Sequence, residues 1–134
     1  MAKFIMARKF SDKQNKERLS LLKLDTDDKF GGVNHFENLS SDTLQTLVDK
    51  GYADLDDKQN DAPTLGEFLS FMKQYPEFTA HGYVVSNDRN DRRISIEGLE
   101  GNTTDEHVIE AFKELSEYAD ELDCENGHCR CWFD

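Results

Sequence analysis

The chain has 134 residues and a formal net charge of −12, divided unevenly along its length. Residues 1–23 carry seven Lys or Arg against Asp12 and Glu17, a net of +5, and the remainder sums to −17. An acidic body repels a nucleic-acid backbone, so direct nucleic-acid binding is excluded from the expectations and a basic protein partner is favoured.

The length suits one domain, here expected over 1–134, with a core that needs no staples. Aromatic residues make up 10% of the chain, too many for general disorder. The longest apolar run near the start, Phe4-Ile5-Met6-Ala7, is too short for a signal-peptide core, and no run approaches a membrane span. Three cysteines, an odd number, argue against a disulfide framework and for a reducing, cytoplasmic setting.

Lys3 to Phe10 alternates weakly and predicts a short strand. Ser11 and Gln14 have capping-box spacing, which predicts a basic helix from about Asp12 to Leu22. Asp25 to Glu37, with Gly31-Gly32, predicts a loop. Ser40 then caps a helix to about Lys50, with Leu44, Leu47 and Val48 as its buried stripe and Gly51 at its end. After an acidic linker from Asp54 to Asp61, Thr64 and Glu67 form a second capping box, and Pro76 stops that helix.

Phe78 to Ser86 and Arg92 to Leu99 predict a hairpin. Thr103 with Glu106 predicts the start of a long helix, since Val108, Ala111, Phe112, Leu115, Tyr118, Ala119 and Leu122 lie at helical spacing until Gly127. His128 to Phe133 predicts a closing strand.

These elements predict an α+β class. A small antiparallel sheet, made of the hairpin plus N- and C-terminal strands, packs against helices. Residues 1–77 form a mainly helical half with an N-terminal strand, and 78–134 form a ββαβ unit. With two helices treated as an insertion, the order is ferredoxin-like.

Three constellations carry potential chemistry. Cys124, His128, Cys129 and Cys131 are the residue types zinc prefers, although the single residue between Cys129 and Cys131 departs from the usual ligand spacing. On a strand, Cys129, Cys131 and Phe133 share one face and His128, Arg130 and Trp132 the other, which suits core thiols instead. Placed at a helix C-terminus among carboxylates, Cys124 is expected to be an inert thiol. The run from Asp56 through Asn60 to Glu67 resembles a calcium loop, but Lys58 and Asp61 stand where a ligand and a glycine belong. The outward face of the hairpin gathers His81, Tyr83, Arg93, Ser95 and Glu97, types capable of acid–base work, with no nucleophile and base framed together.

The leading expectation is therefore a non-enzymatic acidic interaction protein, of the physical type of inhibitors, immunity-type proteins or nucleic-acid mimics. Its docking residues are Glu106, Glu110, Glu114, Glu117, Asp120 and Glu121, all assigned to one helix from Asp105 to Glu125. Negative charge at the end of that helix opposes its dipole, so helix stability alone does not account for it. The alternative is a small zinc protein or enzyme using the Cys/His tail. Self-association through the basic N-terminal segment is a third reading.

Overall fold

Each helix begins where the sequence supplies a capping oxygen. The computed structural model describes residues 9–134. Ser11 opens α1 (Asp12–Leu21): its hydroxyl accepts the Gln14 N–H, and the Gln14 side chain accepts the Ser11 N–H in return. The next element is a strand, β1 (Val33–Leu39). Ser40 caps α2 (Ser41–Asp49) through the Thr43 N–H, and Gly51, at φ +80°, turns the chain out of it.

Thr64 and Glu67 exchange the same reciprocal bonds at the start of α3 (Leu65–Gln74). Tyr75 has already left helical backbone geometry, as the residue before Pro76 must. Then follow β2 (Thr79–Val85), β3 (Ile94–Asn102), α4 (Glu106–Leu115), β4 (Glu121–Glu125) and β5 (His128–Trp132).

The five strands form one sheet in the order β1-β2-β3-β5-β4, every neighbouring pair antiparallel. The α+β expectation holds, with helices packed on a small antiparallel sheet. The ferredoxin-like order is not confirmed. Among the described residues the order is α-β-α-α-β-β-α-β-β, and no two neighbouring strands run parallel.

The register sends Ala80, Val84, Ile94, Ile96, Leu99, Cys129 and Cys131 into the core. There they meet Leu44 and Leu47 of α2, Phe68 and Met72 of α3 and Phe112 of α4. Phe71, Phe78 and Phe112 are in mutual contact, with ring centroids 5.0–5.9 Å apart; Phe78 and Phe112 stack, and Phe71 meets Phe78 edge-on. The core thus draws on both the first and the second half of the described chain.

Two expectations are corrected. The stretch expected as a loop to Glu37 contains β1, which pairs with β2 from Val33↔Val85 to Leu39↔Ala80. Its alternation is hidden because an asparagine, Asn34, takes an inward position and bonds the Thr26 carbonyl at 2.8 Å. A bulge between Phe36 and Leu39, with Asn38 at φ +59°, then breaks the period of two.

The long C-terminal helix is also much shorter than its pattern. Its N-cap is Asp105, which accepts the His107 N–H, and it ends at Leu115. Tyr118 and Leu122, counted in its apolar face, are 71% and 42% exposed. Residues 121–125 instead pair with β5 across the two-residue turn Asn126-Gly127. The expected strand over Lys3–Phe10 falls outside the described residues except for Lys9 and Phe10, which lie in irregular chain.

Among the described residues, no helix is long and apolar enough to cross a membrane.

Candidate acidic docking surface

Helix α4 buries Val108 and Phe112 and turns Glu106, Glu110 and Glu114 to solvent. Four-residue spacing stacks these three carboxylates on one face. Glu117 and Asp120 are exposed in the turn that follows, and Glu121 is exposed at the start of β4. Among the described residues, Glu106, Glu110, Glu114, Glu117 and Asp120 make no ion pair, whereas Glu121 lies 3.6 Å from Arg130. Asp120 is engaged otherwise, accepting the Asp134 N–H at 2.7 Å.

All six expected docking residues are therefore exposed, but they do not share one helix. Glu117, Asp120 and Glu121 lie beyond its end, so Glu117 and Glu121 are not stacked one helical turn apart. Most of the conflict with the helix dipole goes with them: the last turn of α4 carries Lys113 beside Glu114, and the acidic residues beyond the helix fall in a turn and a strand. A helix through 116–125 would have set five further carboxylates against its own dipole, which favours the shorter helix.

The Cys/His tail is divided between the two faces of the sheet. Cys129 and Cys131 are buried in the core, while His128 is exposed on the other face. There the His128 ring meets Asn102 Oδ1 at 2.7 Å and Glu100 Oε2 at 3.2 Å. Cys124 is not at a helix end. It lies half-buried on β4, directly opposite Cys129. Among the described residues, no three His, Cys, Asp or Glu side chains are grouped to hold a metal ion. Burial, helped by the neighbouring Cys124, pushes the Cys129 thiol up to about 12, and burial also raises Cys131.

The outward face of the hairpin does bring Arg93, Ser95 and Tyr83 together, and two linker residues join them. Ser95 Oγ donates to Asp57 Oδ2 at 2.9 Å and receives Arg93 Nε at 3.2 Å. The guanidinium also reaches the Tyr83 hydroxyl at 3.0 Å, which in turn meets Gln59 Oε1 at 2.8 Å. Asp57 belongs to the stretch expected as an acidic linker, yet it is half-buried. Burial holds its carboxyl above the usual range, against the pull of Ser95 and Arg93. No local signal marks this contact, because Asp57 and Ser95 are 38 residues apart.

Ser95 is 1% exposed, so its hydroxyl is closed to any substrate. The network's donors and acceptors satisfy one another and pin the 54–61 segment to the sheet. Glu97 stands further along β3, raised by burial despite His35 at 3.7 Å. His81 is buried with no well-formed hydrogen bond on either ring nitrogen, and burial lowers its pKa to about 4. The calcium-loop resemblance fails at its twelfth place, since Glu67 is committed to its helix cap.

No family model, no curated protein and no solved structure matches this chain.

Proposed function

We propose that the protein is a non-enzymatic interaction protein that docks a basic protein partner through the acidic surface of α4 and the turn after it. The observation that carries this reading is the row Glu106, Glu110 and Glu114, exposed on one face without a cationic partner among the described residues. Each like-charged pair at that spacing destabilises a helix by roughly 0.2–0.5 kcal/mol, so the arrangement works against the fold it sits on. Exposed Tyr118 and Leu122 lie in the same stretch of chain, the kind of aromatic and aliphatic anchors that interface centres use.

An inhibitor or immunity-type protein acting on a basic enzyme, or a nucleic-acid mimic, needs this chemistry. The acidic row supplies long-range attraction, and the anchors supply the short-range contact. The competing polar cluster at Ser95 supports catalysis poorly, because its serine hydroxyl is shut from solvent and the Tyr83 hydroxyl is held between Arg93 and Gln59.

The test is affinity capture on the immobilised chain across a salt series, with Glu106→Gln/Glu110→Gln/Glu114→Gln as the control surface. A basic protein should be retained at low salt and released as ionic strength rises. The triple variant should bind it roughly tenfold or more weakly, mainly through slower association. Retention that ignores both salt and the triple substitution would overturn the reading.

A further inference from the structure

The terminal hairpin sets two of the three thiols face to face. Asn126 and Gly127 have φ of +54° and +79°, the two positive values that a type I′ turn requires. Glu125 and His128 close that turn as register partners, and Cys124 with Cys129 is the next pair. In a hairpin with a two-residue loop the closing pair exchanges backbone hydrogen bonds, so the following pair is of the non-hydrogen-bonded kind. Such partners have Cα atoms about 4.5 Å apart and the closer side chains. A disulfide accepts Cα separations of about 4.4–6.8 Å.

Cys124 is near enough to add to burial in raising the Cys129 thiol. Cys131 has no cysteine opposite it: it registers against Leu122 and is fully buried beside Ser116.

Exposure separates the two roles. Cys124 is half-exposed on an edge strand, where a small molecule can reach it, whereas Cys129 is 1% exposed behind it. Glu121, Asp123 and Glu125 flank Cys124 on β4, so a neutral disulfide meets less repulsion there than an anionic one.

We propose that Cys124 and Cys129 form a reversible thiol–disulfide site, oxidised by low-molecular-weight disulfides. Cys124, as its thiolate, attacks one sulfur of the disulfide; its S–S bond breaks and one small thiolate leaves. Cys129 gives up its proton, and its sulfur attacks the Cys124 sulfur of the mixed disulfide, expelling the second small thiolate. Two protein thiols lose two electrons and two protons in all, and the small disulfide leaves as two thiols. Burial keeps Cys129 protonated, so ring closure is the slower step and accelerates as pH rises. The bond formed ties edge strand β4 to β5.

The test uses the full chain, reduced and then equilibrated with the neutral disulfide of 2-mercaptoethanol at graded ratios to its thiol. Free thiols are then alkylated under denaturing conditions. Cleavage after Glu125 places the two cysteines on separate peptides, and cleavage after Arg130 separates Cys129 from Cys131. The expected result is loss of two alkylatable thiols out of three, with the peptides of Cys124 and Cys129 joined and Cys131 still alkylated. Cys131→Ser should give the same link, and Cys129→Ser should stop at a mercaptoethanol adduct on Cys124.

The unsubstituted chain decides the matter even where a variant folds poorly. Three alkylated thiols at every ratio would overturn the proposal. So would a link through Cys131, a link between two chains, or an adduct on Cys124 that never closes.

Discussion

Arg18 and Asp27 meet at 3.1 Å, with the Arg18 side chain wholly buried. Asp27 Oδ2 also accepts the Asn87 N–H at 2.8 Å and Asn15 Nδ2 at 3.2 Å. The Asn87 side chain in turn grips both backbone groups of Phe10, at 2.9 and 2.8 Å. One carboxylate oxygen thus joins α1, the loop after it and the turn after β2. This explains how α1, which lacks an apolar stripe, is held to the sheet.

Removing Asp27 leaves a buried guanidinium whose remaining hydrogen-bond partners are the Asn15 side chain and the Val85 carbonyl. Asp27→Ala should therefore lose about 3–5 kcal/mol, the usual cost of breaking a buried pair from one side. Arg18→Met combined with Asp27→Asn should lose much less, since no charge is then stranded. Urea unfolding of the single and double variants measures the difference. A double variant no more stable than Asp27→Ala would show that the pair is not a coupled unit.

The acidic row on α4 makes an opposite kind of prediction. Glu110 is flanked at four residues by both Glu106 and Glu114, so Glu110→Gln relieves two repulsive pairs. The variant should gain about 0.4–1 kcal/mol at low ionic strength, a gain that shrinks as salt screens the charges. Unfolding midpoints at low and high salt give the answer directly. A clear loss of stability at low salt would mean that Glu110 supports the fold, and the row would lose its value as evidence for docking.

His81 gives the fold a pH dependence of known sign. Its ring takes a proton near 6.5 when unfolded but only near 4 when folded, chiefly because burial disfavours the charged form. Arg130 adds to that effect, and Glu100 and the Cys131 carbonyl oppose it. Between those two values the unfolded chain binds more protons. Stability is complete above about pH 6.5 and falls as pH drops towards 4. The window corresponds to at most about 3 kcal/mol. His81→Gln should flatten the decline relative to the unsubstituted chain when urea stability is compared from neutral pH downwards. Parallel declines in the two proteins would assign the acid sensitivity to carboxylates instead.

Gly98 shows how closely β3 and β5 are packed near that ring. A Cβ built there would lie 2.0 Å from the Cys131 carbonyl oxygen and 2.7 Å from His81 Nε2. The carbonyl belongs to the backbone of a core strand and cannot step aside. Gly98→Ala is expected to destabilise by about 3 kcal/mol or more, at the upper end for overpacking. Soluble protein with an unchanged thermal midpoint would contradict this contact.

What the sequence made legible was local. Three capping oxygens, Ser11, Ser40 and Thr64, stand at their helix starts, and the β2–β3 hairpin lies within a few residues of its expected limits. Cys129 and Cys131 fall on the core face, as their alternation with His128 and Arg130 implied. What stayed hidden depends on contacts distant in the chain. Asn34 faces inward because the Thr26 carbonyl is there to receive it, and Asp57 is half-buried because Ser95 lies beneath it. The exposed carboxylates were readable by residue. Their division between a helix, a turn and a strand was not, because Tyr118 and Leu122 fit the helical period by chance.

That division rests on Asn126-Gly127, a pair that serves equally as a helix terminator or as a hairpin turn. Both residues are left-handed here, which suits the turn. Gly127→Ala puts a side chain on the second of these positions and should cost about 1–2 kcal/mol. The loss should be local, because among the described residues β4 pairs only with β5 and stands at the sheet's edge. Alkylation of Cys129, now 1% exposed, should consequently accelerate in native buffer far more than alkylation of Cys131. Equal acceleration at both thiols would mean that the substitution loosens the whole core, and that the turn does not act as an independent clasp on β4.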